Sequence, residues 1–121
     1  MGARCTFVFK QSEDLGVALY SHWGEYDMHT DLARALQHAA VRIGDKEYYT
    51  RMAVSHLLKD FILDETGFGL YACNPNSVDF MDHPILIDLT NNTISDGTGT
   101  HSIGEFITYY CSTVSPSVGA L

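Results

Sequence analysis

Side chains that could do chemistry gather in three short stretches. The first is Tyr20-Ser21-His22-Trp23-Gly24-Glu25. An indole offers a flat face for stacking, and an imidazole donates or accepts a hydrogen bond near neutral pH. The plainer reading makes Trp23 a core plug and His22 a satisfied loop residue. In the second stretch Arg42, Asp45, Tyr48 and Arg51 recur at a strict interval of three. If Asp45 caps a helix, its carboxylate accepts the Tyr48 N–H, and Tyr48 and Arg51 share a face. Two of the chain's four arginines then meet beside an aromatic ring, and guanidinium forks suit phosphate or carboxylate. The alternative is an ion-pair network, Arg42 with Asp45 or Arg51 with Glu47, that fixes a helical turn. The third stretch is Glu65-Thr66-Gly67-Phe68-Gly69. Its glycines let the backbone beside Thr66 and Phe68 approach a ligand closely, or they merely join a helix to a strand.

Signatures of catalysis are missing. His22, Glu25 and His29 follow H-x2-E-x3-H, which differs from the metal-binding H-E-x-x-H pattern. His22, His29, His56 and His101 all fail the H-x-[ST] test of a two-histidine phosphodiesterase. There is no G-x-S-x-G elbow, Walker loop or dinucleotide fingerprint. No catalytic residue, metal or cofactor is expected. Cys5, Cys73 and Cys111 are odd in number and form no C-x-x-C pair, so free thiols in a reducing compartment are expected.

The elements that must position these residues follow from patterning. The 121 residues are 45% apolar and 18% charged, the proportions of one globular domain with a real core. Fifteen Asp+Glu against seven Lys+Arg give a net charge of −8, which argues against a duplex-binding protein and against docking on anionic membrane. No run approaches the ~20 apolar residues of a membrane span. Residues 6–10, 16–21, 68–73, 85–89 and 93–95 have the β-branched and aromatic character of strands, with Asn91-Asn92 as a hairpin turn. Apolar spacings of three and four predict helices over 28–43 and 46–63, joined by a tight turn at Gly44-Asp45. Ser102 and Glu105 form a capping box that opens a short helix through Tyr110. The order ββααβββα gives an α+β fold: a mainly antiparallel sheet with a two-helix hairpin and a short C-terminal helix on one face. Residues 1–111 form the single domain, and 112–121 read as a mobile tail. The broad apolar face of the second helix predicts a homo-oligomer, a dimer by preference.

The three blocks L-Y-S-H-W (19–23), R-x2-D-x2-Y-x2-R (42–51) and T-G-F-G (66–69), followed by an apolar strand carrying Asp88, resemble a family of small single-domain proteins of phages, prophages and bacteria. The resemblance covers about residues 15 to 107 and attaches no activity. Gly24-Glu25 and Lys46 depart from the family pattern, which has an Asp-Gly-like pair after His-Trp and a proline after the capping Asp. A looser similarity is to phage counter-defence sponges, which bind nucleotide-derived immune signals without cleaving them. It implies a non-catalytic protein in the cytoplasm of an infected bacterium, sequestering a phosphate-bearing nucleotide ligand. Tyr20, His22, Trp23, Arg42, Asp45, Tyr48, Arg51, Thr66 and Phe68 would form the site, with a second copy joining its halves. The competing readings are a phosphodiester hydrolase with His22 as acid or base, and an acidic protein that inhibits a host protein.

Overall fold

The computed structural model describes residues 4–22, 28–79 and 81–114. Six strands form one sheet: β1 (Cys5–Lys10), β2 (Gly16–Ser21), β3 (Phe68–Cys73), β4 (Pro84–Asp88), β5 (Thr93–Ser95) and β6 (Thr100–Ser102), in the spatial order β3-β2-β1-β4-β5-β6. Every neighbouring pair is antiparallel except β1 with β4. The α+β expectation and the mainly antiparallel sheet therefore hold. The strand β6 is an addition to the expected strands: three exposed polar residues, ending in the capping Ser102, pair with β5, His101 opposite Ile94.

Three helices cover one face: α1 (Met28–Ala39), α2 (Lys46–Leu58) and α3 (Ile103–Val114). Successive strand residues point to opposite sides, so Phe7, Phe9, Leu19, Ile85, Ile87 and Ile94 meet the helices. There they pack against Leu32 and Leu36 of α1, Tyr49 and Ala53 of α2, and Ile103 and Phe106 of α3. Cys5 belongs to this core, and burial, helped by the negative charge of Asp31, pushes its thiol up to about 12. All three cysteines are unpaired. Val8 and Ala18 point the other way and are closed off by Met81 and Val78 of the segment before β4.

Both helical boundaries tighten before they break. After α1 a single 3₁₀ turn (Ala40–Arg42) leads to Gly44, whose φ of 94° only glycine adopts without strain. The second helix ends at Leu58, short of residue 63, and i→i−3 bonds from Phe61 to Leu58 and from Asp64 to Phe61 carry the chain out of it. The third helix runs past Tyr110 to Val114, so 112–114, expected in the tail, are helical; 115–121 lie outside the described residues.

Asp88 pins the β4–β5 hairpin. Its carboxylate accepts bonds from Thr90 Oγ1 (2.6 Å), Thr90 N (2.9 Å) and Asn91 Nδ2 (3.0 Å), and faces Lys10 Nζ at 3.8 Å on the neighbouring strand. Burial works to raise this carboxyl, but the bonds from Thr90 and Asn91 outweigh it and hold it below its ordinary value. Asn92 takes a positive φ of 57°, the conformation the Asn-Asn turn needs.

Candidate functional site

The expected site residues fall at two ends of the sheet. Tyr20 and His22 lie where β2 ends. His22 N–H bonds to Gly67 O at 2.9 Å, and its Nδ1 is 3.4 Å from Tyr20 Oη. Phe68 is half-buried, with its ring 5.5 Å from that of Phe61. The cavity it lines with Phe7, Ser21 and Met28 holds only about 60 Å³, room for water rather than a nucleotide. Thr66 is exposed beside it. Trp23 and Glu25 lie outside the described residues.

Arg42, Asp45, Tyr48 and Arg51 sit at the opposite end. Lys46 Nζ bonds to Gln11 O (2.9 Å) and Gln11 Nε2 to Thr50 Oγ1 (2.8 Å), which ties the start of α2 to the turn between β1 and β2. A six-residue strand separates this corner from His22, roughly 17 Å at 3.4 Å per residue. Among the described residues, the cavity lined by Phe68 and the one lined by Arg51 share no residue.

Two expectations about this corner need correction. Asp45 occupies the N-cap position, but its carboxylate makes no capping bond; only its carbonyl joins the helix, accepting Tyr49 N–H at 2.9 Å. The ion-pair network is also missing: among the described residues neither arginine has a carboxylate in reach. Arg42 instead lies over the ring of Tyr48, 4.7 Å from its centre, and Arg51 Nη1 donates to Ser55 Oγ at 3.3 Å. The arginines are therefore not held by structural carboxylates.

Arg51 opens onto a pocket of about 570 Å³ between α2 and the β2–β3 edge. Leu15, Val17, Val54 and Leu70 form its apolar wall. Lys46, Thr50 and Arg51 supply cationic and polar groups on one side, joined by a single carboxylate, Glu47. Tyr48 of α2 and Arg42 of the preceding 3₁₀ turn are exposed and are not among the residues that line it.

A second cavity, of about 460 Å³, lies at the other edge of the sheet, between β5, β6 and α3. Sequence reasoning missed it. Ile94 and Phe106 floor it, Tyr109 and Tyr110 wall it, and Asp96 and Glu105 bring carboxylates to it. His29 reaches Asp96 Oδ2 at 2.9 Å and stacks on Tyr110, with ring centres 5.2 Å apart. Burial works to raise Asp96, but bonds from Thr98 and His29 outweigh it and keep the carboxyl below its ordinary value. One available signal was the helical spacing of Glu105 with Tyr109 and Phe106 with Tyr110, which puts acid and rings on adjoining stripes.

Among the described residues no three His, Cys, Asp or Glu side chains stand close enough to hold a metal ion. No helix among them is long and apolar enough to cross a membrane. Comparison with known proteins finds no matching family model, no similar curated protein and no similar solved structure.

Proposed function

We propose that this protein is a non-catalytic binder that sequesters a small phosphate-bearing, nucleotide-derived signal, acting for a phage in the cytoplasm of its bacterial host. One observation carries the reading. Lys46 and Arg51 of α2, with no carboxylate partner among the described residues, line a pocket whose strand side, Leu15, Val17 and Leu70, is apolar. Phosphate would meet the two cations and the start of α2, where the helix dipole adds positive potential. The flat part of the ligand would rest on Leu15, Val17, Val54 and Leu70. Glu47 at the same rim disfavours ligands with a negative charge there. A net charge of −8 does not oppose this, because a few placed cations set the local field. A second copy would complete the site by bringing the Tyr20–His22 end of its sheet to this corner.

The experiment is capture and release. The purified protein is mixed with cyclic oligonucleotides and ADP-ribose derivatives and heated, and the released material is analysed. Intact recovery supports sequestration, altered recovery establishes an enzyme, and no depletion removes the ligand. Arg51→Ala should weaken capture more than tenfold, about 1.4 kcal/mol, with a melting temperature within a few degrees of the parent. Light scattering at micromolar concentration should give a multiple of 13.4 kDa; the monomer mass would remove the role of the second copy.

A further inference from the structure

We infer that the cavity between β5, β6 and α3 is a binding site for a small organic cation, an alkylammonium or quaternary ammonium group. It is separate from the anion pocket and lies at the opposite edge of the sheet. At about 460 Å³ it is within the ~300–1,000 Å³ range of small-molecule sites. Its walls are rings: Phe106 and Tyr110 have centres 4.8 Å apart, and Tyr109 meets Tyr110 edge-on at 4.8 Å. Aromatic faces carry negative quadrupole potential and attract cations, more strongly when the cation sheds water. Asp96 and Glu105 add carboxylates; among the described residues the nitrogen bases beside them are His101 in the wall and His29 on Asp96, and no lysine or arginine lines the cavity.

Each carboxylate is held in place by its own hydrogen bonds. Asp96 Oδ1 takes Thr98 N–H (3.0 Å) and Thr98 Oγ1 (2.6 Å), and Oδ2 meets His29. Glu105 Oε1 takes Ser102 N–H at 3.1 Å, and no bond from another described residue reaches Oε2. A metal is not favoured, because among the described residues no three His, Cys, Asp or Glu donors gather into a coordination set. An organic cation needs no such set: it needs rings around its methyl or methylene groups and a carboxylate within a few ångströms. The protein's charge of −8 draws such a ligand in from solution.

Titration calorimetry with phenyltrimethylammonium tests the assignment, with tert-butylbenzene's soluble neutral analogue, 4-tert-butylbenzyl alcohol, as the uncharged control. Saturable binding of the cation, at least tenfold tighter than the alcohol, is expected. Glu105→Gln keeps an acceptor for the Ser102 N–H and removes only charge; Tyr109→Ala removes an exposed ring. Each should weaken the cation about tenfold, with the circular dichroism spectrum unchanged, and Arg51→Ala should leave it unchanged. Equal affinity for cation and alcohol would reduce the cavity to a greasy slot and overturn the inference. So would an affinity indifferent to both substitutions, which would place the cation elsewhere on the acidic surface, or no saturable binding at millimolar concentration.

Discussion

Two helices start beside the two cavities, and they start differently. At α3 three early donors are met from within the protein: Ser102 N–H by Glu105 Oε1, Glu105 N–H by Ser102 Oγ, and Ile103 N–H by Asn92 O. At α2 the capping residue Asp45 spends no side-chain bond on the first turn. The closed start adjoins the acidic, aromatic cavity; the open one adjoins the cationic pocket. Satisfied donors leave a helix end electrically quiet, whereas unsatisfied ones leave positive potential for an anion. The contrast separates a helix terminus that finishes the fold from one that has capacity to spare.

The comparison can be broken by substitution, beginning with the largest effect. Asp96→Ala removes an acceptor of three hydrogen bonds and should cost about 2 kcal/mol in urea unfolding. The same group sets a pH dependence. Its folded carboxyl titrates below the ordinary value of 3.8, so its stabilisation is complete above that pH and is lost as pH falls through the folded value. Asp96→Asn should flatten the melting temperature between pH 5 and pH 2; an unchanged acid slope would show that this carboxylate does not anchor the corner. Next come the caps. Ser102→Ala should cost about 1 kcal/mol, while Asp45→Ala should cost only a few tenths. Equal losses in denaturant unfolding would erase the distinction between the two helix starts. The smallest effect belongs to Tyr49, 2% exposed, whose hydroxyl has no hydrogen-bond partner among the described residues and which burial pushes up to about 12. Tyr49→Phe should be neutral or stabilise by up to about 1 kcal/mol; a clear loss in the melting temperature would reveal a partner for the hydroxyl.

Local rules located most of the scaffold. The bounds of β2, β3 and β5 match the runs GVALYS, FGLYAC and TIS, and the capping box at Ser102 closes as its spacing requires. What local rules cannot carry is partnership. Thr100-His101-Ser102 has no apolar alternation and is a strand only because β5 offers it a ladder. The Asp45 cap failed for a related reason: an acid in the right position competes for its bonds with water, and here it stays exposed. The R-x2-D-x2-Y-x2-R spacing did bring Arg42 beside an aromatic ring, with its guanidinium over Tyr48. The acidic cavity draws on α1, β5, β6 and α3, residues 29 to 110, and no window of sequence shows such a meeting.

The seam between β1 and β4 carries a kinetic consequence. These two strands lie side by side in parallel at the centre of the sheet, yet residues 11 to 83 separate them along the chain. Closing so long a loop costs entropy, and non-local pairings of this kind slow folding. On one side of the seam stands a contiguous three-strand unit with the α1–α2 hairpin; on the other stands the β4–β5–β6–α3 segment. The anion pocket is assembled wholly from the first side, from residues 11 to 70. The acidic cavity needs both, because His29 of α1 must find Asp96 across the join. In a nascent chain leaving the ribosome, the first pocket has all its parts before the second has any wall.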